Sequence, residues 1–343
     1  MAMRVLHVTE ALGGGLQSAI VNYARVTPDL EHRVFSRARE GQSTHGWPEG
    51  VQATTYSGRL PGFYRAVNKA VRRIQPDVVH LHSSFAGVAR GFLPPGTRIV
   101  YSPHCFAFER TDVPSAVRWA FGALEYALAR RPQTTLSVSP HEALLSRSLS
   151  RGNPVVVAPN PSPLAPADEA RPSPTGNDLS VTMVGRLGAQ KAPDIFAEVA
   201  HLCQDDGIRF TWIGDGPAGV PEMLRASGAA VTGWRPPEEV RELLTRSNLY
   251  LHTASWEGGP VSAIEAATLG VPVISRTIPS MRSLGYATAG GSAPELAGAV
   301  RRFARDLEYR RHVEARTAAV RRRCSTQRLE EGLRRAYAIA AAR

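Results

Sequence analysis

Short apolar runs rich in β-branched residues alternate with longer helical patterns along almost the whole chain. In the first half, Arg4–Val8, Arg33–Phe35, Val78–His82, Arg98–Ser102, Thr135–Val138 and Val155–Ala158 read as strands. In the second half, Ser180–Val184, Arg209–Ile213, Val231–Thr232, Leu249–His252 and Val271–Ser275 do so. The patterns between them predict helices over Gln17–Arg25, Phe63–Arg73, Ala116–Ala129, Ala192–Asp205, Pro237–Arg246 and Val261–Leu269. This βαβ alternation is that of α/β domains with parallel sheets covered on both faces.

The alternation stops once. Residues 158–180, APNPSPLAPADEARPSPTGNDLS, are rich in Pro, Ser, Ala and acids and have no period, so they read as a linker. The strands start afresh behind it. The expected organisation is a first Rossmann-like domain over 1–160, a linker over 161–179 and a second such domain over 180–320. Each domain is a doubly wound parallel sheet, and the two are expected to face a central cleft. Open parallel sheets bind ligands beyond the carboxyl ends of their strands, so that cleft is the expected site. The last helical stretch, Arg316–Ala341, is expected to turn back, its part from about 320 to 343 packing on the first domain.

Composition narrows the setting. A chain of 343 residues with 43% apolar content supports two cores. No run approaches the ~18 apolar residues of a membrane span. The start, MAMRVLHVTEA, enters a strand pattern without signal-peptide order, and Cys105, Cys203 and Cys324 show no paired or metal-type spacing. The expectation is a reduced, cytoplasmic protein. From Arg301 onward thirteen arginines face five acids, which supplies most of the net charge of +11. The ordinary meaning is a solvated helical face, and peripheral contact with an anionic membrane is the alternative. Nucleic acid is not expected, because no binding motif or aromatic platform accompanies the charge. Residues 58–75, GRLPGFYRAVNKAVRRIQ, mix aromatic and basic positions and allow the same two readings, an ordinary packing helix being favoured. Of 41 basic residues only Lys69 and Lys191 are lysines, which singles out the compact ammonium at 191.

Four stretches carry candidate chemistry. HVTEALGGGLQS places Gly13, Gly14 and Gly15 between a strand and a helix, where close backbone approach and free amides suit a phosphate. The same residues fit G-x-G-x-x-S. A dinucleotide fingerprint, however, wants an acid at the end of the second strand, and Asp29 and Glu31 lie before that strand. VGRLGAQK places Gly185, Arg186 and Lys191 on one strand-to-helix loop, suited to a diphosphate. IGDGP, with Gly214, is a tight turn at a strand end. SWEGGPVSAIEAATLGVPVI sets Glu257 in a loop and Glu265 in the helix behind it, with Gly258, Gly259, Pro260 and Val261 between. A carboxylate accepts hydrogen bonds from both hydroxyls of a diol, so the pair suits two diols on either side of a cradled phosphate. The plain alternative is a helix-start acid and a solvated helix residue.

EGGPVSAIE is the E-x7-E pattern, and with the glycine loop, the GR…K loop, IGDGP, PDVVHLH and SPH in this order the chain resembles retaining glycosyltransferases of the GT-B fold, family GT4. The likeness covers nearly the whole chain. It implies that Arg186 and Lys191 hold the diphosphate of a nucleotide-sugar donor, UDP- or GDP-linked. It implies that Glu265 binds the ribose, and that Glu257 with the amides from Gly258 to Val261 binds the sugar. His104 would face the sugar and reaction centre, and Gly14 and Gly15 the phosphates and acceptor side. The base would lie near Gly233, Trp234 and Arg235. Glu10 is a candidate acceptor-side carboxylate.

No cofactor is implied. No D-x-D occurs, in keeping with a family whose members usually need no divalent metal for the phosphates. The chain departs from the family at SRTIPSMRSLGY, which lacks the usual D-x-G-G-x-x-E. The expected activity is transfer of a sugar, with retention, to a hydroxyl acceptor in polysaccharide, glycolipid or natural-product glycoside synthesis. A nucleotide-sugar 2-epimerase-like enzyme, a non-catalytic nucleotide-sugar-binding partner in a glycan assembly complex and a dehydrogenase are the competing classes.

Overall fold

The computed structural model describes residues 2–38, 46–164 and 179–343. The expected linker lies mostly outside the described residues. The chain divides into two compact units, Met1–Pro161 with Cys324–Arg343, and Ser162–Arg323.

The first unit runs β1 (Arg4–Thr9), α1 (Gly14–Val26), β2 (Glu31–Arg37), β3 (Gln52–Tyr56), α2 (Leu60–Ile74), β4 (Val78–His82), α3 (Ser84–Gly87), β5 (Ile99–Ser102), α4 (Ser115–Leu128), β6 (Thr134–Ser137), α5 (Pro140–Leu149) and β7 (Val155–Val157). Its sheet has the order β3-β2-β1-β4-β5-β6-β7, with every pairing parallel. The two-residue period of a strand divides the core between the faces. Leu6, Val8, Val79, Leu81, Ile99 and Tyr101 pack with Phe63, Tyr64 and Val67 of α2. Val5, Val78, Val100 and Leu136 turn to the other face, against Ala19 and Tyr23 of α1.

The second unit runs β8 (Ser180–Val184), α6 (Pro193–Leu202), β9 (Arg209–Ile213), α7 (Val220–Ala226), β10 (Ala230–Val231), α8 (Pro237–Arg246), β11 (Leu249–His252), α9 (Val261–Thr268), β12 (Val273–Ser275), α10 (Pro279–Leu284), β13 (Ala287–Thr288), α11 (Ala293–Arg305) and α12 (Leu307–Arg323). The order β10-β9-β8-β11-β12-β13 is again wholly parallel.

The chain then returns to the first unit as α13 (Thr326–Ala341). Leu329, Leu333, Ala336, Tyr337 and Ala340 complete the face that α1 begins. The expected single helix over Arg316–Ala341 is thus two. It breaks at Cys324–Ser325, where the Ser325 hydroxyl accepts from the Arg328 amide at 3.3 Å as an N-cap. Gly332 has a packing reason: a Cβ there would lie 2.5 Å from the Ala158 Cβ.

β3 was not expected from the pattern. Four of its five residues are exposed, so its edge position leaves no apolar alternation to read. The helices α5, α7, α10 and α11 were also missed. They open on Pro or lie in Gly- and Pro-rich sequence, where turn signals mask the helical period. α6 ends at Leu202 rather than Asp205, the chain tightening into a single 3-10 turn over Gln204–Asp206.

Candidate active site

In each sheet the strand order reverses once, between β1 and β4 and between β8 and β11. At such a point the loops leaving the two strands run in opposite directions, and ligands bind outside the carboxyl ends. The charged candidates Arg186, Lys191 and Glu257 lie on the loops after β8 and β11, Gly214, Gly233 and Trp234 on those after β9 and β10, and Glu265 on the helix that follows Glu257.

Close backbone contact shapes the β8 side. Gly185 leaves the strand at φ +148°, and its carbonyl accepts from the Trp212 indole at 2.8 Å. Gly214, after β9, has φ +142°, and a Cβ there would stand 2.1 Å from the Gly185 oxygen, so only glycine fits. Gly214 bridges Gly233 in antiparallel fashion, which joins Gly185, Gly214 and Gly233 into one backbone surface. Arg186 and Trp234 are exposed.

The β8 and β11 loops are stitched together. The Ser255 amide donates to the Gln190 carbonyl at 2.9 Å, the Gln190 side chain donates to the Trp256 carbonyl at 3.2 Å, and the Thr253 hydroxyl donates to the Lys191 carbonyl at 2.8 Å. Lys191 is thereby aimed at Glu257. Its ammonium donates to Glu257 Oε1, and the glutamate side chain is only 9% exposed.

His252, at the end of β11, is fully buried with Nε2 3.8 Å from the same carboxylate oxygen. Neither ring nitrogen has a hydrogen-bond partner among the described residues. Burial, and then the Lys191 ammonium, push its pKa far below the usual histidine range, so the ring is neutral.

Helix α9 starts after Pro260, which occupies the N-cap position rather than the first turn, and no side chain caps the helix. Its first amides therefore lack an intrahelical partner. Tyr250 ties β11 to this turn, its hydroxyl donating to Ser262 Oγ at 2.8 Å. Glu265, in the second turn, is half-buried. Burial pushes its pKa up to about 7, while the Lys191 ammonium pulls it down. Lys191, Glu257 and Glu265 are thus brought into one electrostatic neighbourhood, with Gly258, Gly259, Pro260 and Val261 between the acids in sequence.

One participant escaped the sequence reading. Arg276, beyond β12, donates to Ser255 Oγ at 2.9 Å and to the Gly291 carbonyl at 2.8 Å, and its amide bonds the His252 carbonyl at 2.8 Å. It sits in SRTIPS, the segment that departs from the family pattern.

The first unit's switch point is built differently. Gly13 precedes α1 at φ +155°, and the helix already begins at Gly14, φ +51°, not near Gln17. Gly14 and Gly15 are therefore its exposed first turn. Glu10 is 4% exposed, with Oε1 3.4 Å from an Arg37 guanidinium nitrogen.

At the end of β5, His104 (φ +53°) and Cys105 (φ +108°) both lie in left-handed backbone that side chains disfavour. The buried carboxylate of Glu142 holds this kink, accepting from the amides of Cys105 and Val138, each at 2.8 Å. Burial raises the Glu142 pKa to about 7 against the pull of those two amides. Glu142 was also missed. Ser139 and Glu142 have capping-box spacing, but the glutamate reaches to Cys105 and Val138 instead of closing the box.

Behind His104 lie His82, His7, His32 and His80, all buried. His7, His80 and His82 can each bring a ring nitrogen within 4.8 Å of the others. Each of those nitrogens already faces a hydrogen-bond partner.

Comparison with known proteins establishes the family and the fold. Residues 5–161 match the family model of the glycosyl transferase 4-like domain, and residues 178–306 that of the glycosyl transferases group 1. The chain belongs to this glycosyltransferase family and has its GT-B fold of two Rossmann-like parallel-sheet domains.

An uncharacterized 41.2 kDa protein in the cps region of Klebsiella pneumoniae is 24% identical over 299 residues, 81% of this chain and 82% of that protein. The UDP-Gal:alpha-D-GlcNAc-diphosphoundecaprenol alpha-1,3-galactosyltransferase of Escherichia coli is 28% identical over 61% of this chain and 60% of its own length. The Anabaena protein Alr3699/HepE, solved in complex with UDP-glucose, superposes with a TM-score of 0.75 at 16% identity, over 98% of this chain and 100% of that one. No helix among the described residues is long and apolar enough to cross a membrane.

Proposed function

We propose that the protein transfers a sugar, with retention, from a nucleotide-diphosphate-sugar donor to a hydroxyl acceptor, the second unit holding the donor. The observation that carries this reading is the Lys191–Glu257 ion pair, which joins the β8 and β11 loops of one switch point in front of the helix that bears Glu265. A donor of this kind offers a diphosphate with a diol-bearing ring at each end, and that pattern of charge and hydroxyls suits a cation accompanied by two carboxylates. Arg186, Lys191 and the uncapped amides of α9 would take the diphosphate. Glu265 would accept from the ribose hydroxyls. Glu257, already neutralised by Lys191, would accept from the sugar. Gly214, Gly233 and Trp234 would border the base.

Cleavage of the sugar–phosphate bond moves negative charge onto the leaving diphosphate, and fixed cations and helix-start amides stabilise it there. Retention fits a reaction in which the departing phosphate oxygen takes the acceptor proton on the face it leaves. In the first unit, His104 would accept a hydrogen bond from a reacting-centre hydroxyl, Gly14 and Gly15 would border the phosphates and acceptor, and Glu10 would lie on the acceptor side. Phosphate charge is met by the chain's own cations, so no divalent metal is required.

The E. coli relative's name describes a UDP-linked donor and a lipid-linked sugar acceptor, which supports a UDP donor and a glycan or glycolipid acceptor here. The C-terminal surplus of arginine suits work at an anionic membrane surface.

A thermal-shift screen of UDP- and GDP-sugars, with the free diphosphates as controls, tests donor binding without any acceptor. One nucleotide series should raise the melting temperature in proportion to the logarithm of its concentration. No shift with any nucleotide at millimolar concentration would refute the reading.

A further inference from the structure

His104 is the half-buried end of a line of hydrogen-bonded rings whose other members, His82, His7 and His32, are buried. His104 Nε2 lies 3.1 Å from His82 Nδ1, His82 Nε2 3.0 Å from His7 Nδ1, and His7 Nε2 3.0 Å from His32 Nδ1. The inner end meets Thr27, where His32 Nε2 stands 3.0 Å from the backbone carbonyl and 3.1 Å from the hydroxyl. A carbonyl accepts and never donates. The hydroxyl spends its own hydrogen on the Tyr23 carbonyl at 2.8 Å, so it too can only accept from His32.

His32 must therefore carry its proton on Nε2 and present a lone pair at Nδ1. A neutral imidazole has one N–H and one lone pair, so each choice forces the next. His7 donates from Nε2 to His32, His82 from Nε2 to His7, and His104 from Nε2 to His82. Burial pushes all four rings below the usual histidine range, which keeps them neutral and the alternation intact. His80 packs beside the line, its ring centroid 4.1 Å from that of His82. It is fixed in the same way, donating from Nε2 to Ser102 Oγ at 2.9 Å, because Ser102 donates onward to the Leu136 carbonyl. Its Nδ1 accepts from Tyr337 of α13 at 3.0 Å.

We infer that this directional chain of histidines, anchored on Thr27, fixes His104 as its Nε2–H tautomer and leaves the Nδ1 lone pair as the reachable end. His82, His7 and His32 are then positioning residues, and what His104 can recognise is a hydroxyl that donates a hydrogen bond, not a phosphate oxygen. The last point rests on the transferase reading; the tautomer does not.

The test is ring nitrogen–proton correlation spectroscopy on the full chain with 15N-labelled histidine, assigned by single substitutions. His32, His7, His82 and His104 should all appear as Nε2–H tautomers. His82 or His104 as Nδ1–H would overturn the chain, whether or not the enzyme transfers sugar. His7→Asn can place its amide oxygen where Nδ1 accepts, whereas His7→Leu offers nothing. His7→Leu should divide the His104 signal between two tautomers and lower kcat about tenfold with donor KM unchanged, the scale of one misdirected hydrogen bond. His7→Asn should restore both. A single unaltered His104 tautomer together with unaltered kcat in His7→Leu would also overturn the inference. Should His7→Leu fail to fold, the wild-type spectrum decides alone.

Discussion

The two switch points share a topology and differ in chemistry. At the second, between β8 and β11, the chemistry is ionic, with Lys191 paired to Glu257 and its charge felt at Glu265 on the following helix. At the first, between β1 and β4, a line of neutral, hydrogen-bonded rings is buried beside a single Glu10–Arg37 pair. Even the histidines contrast. His252 in the second unit has neither nitrogen bonded among the described residues, while His7 and His82 in the first have both bonded. A doubly wound sheet therefore fixes where chemistry sits, and the side chains on and just beyond its strands decide what kind it is. Fixed charge suits a permanently charged donor, and a neutral, oriented ring suits a hydroxyl.

The largest effect that would sharpen this contrast is expected from Lys191→Ala. It removes the cation proposed to meet the leaving group and leaves Glu257 uncompensated. kcat/KM for donor should fall by about 10²–10³, the range seen for loss of one preorganised stabilising group. Steady-state kinetics within threefold of wild type would break the assignment.

Glu265→Gln should act more mildly, raising donor KM about tenfold, a loss of ~1.4 kcal/mol, with kcat little changed. The same variant reports on stability. The folded-state pKa of Glu265 is raised, so the unfolded chain gives up this proton first as pH rises. Wild-type stability should therefore decline relative to Glu265→Gln from the ordinary carboxylate range up to about pH 7 and run parallel above it. Urea titrations at a series of pH values would show this, and a difference independent of pH would contradict it. The smallest expected effect is that of EDTA, which should leave the transfer rate unchanged; loss of activity that magnesium restores would assign the phosphate charge to a metal.

What could be read in the sequence follows the same division. Buried strands such as Val78–His82 are enclosed on both faces and carry the compact apolar runs that announce them, whereas β3, exposed at a sheet edge, does not. The candidate donor-side residues stood out in the sequence because they cluster in short stretches, EGGPVSAIE above all. The support around them was not. Glu142 holds the His104–Cys105 kink from 37 residues away, and Arg276 joins Ser255 to Gly291. The histidine line draws on β1, β2, β4 and the end of β5, so its hydrogen-bonded neighbours are 22 to 75 residues apart in sequence. Only the parallel register, which sets His7 opposite His80 and Val34, brings these strands together.

The central claim is that donor affinity resides in the second unit. Calorimetric titration with UDP, or with GDP if the screen selects it, tests this on wild type, Lys191→Ala and His104→Ala. Wild type and His104→Ala should bind within about threefold of each other, and Lys191→Ala at least about tenfold more weakly, as expected for loss of a charge-assisted bond. Equal binding by Lys191→Ala, or an equal loss in His104→Ala, would contradict the account.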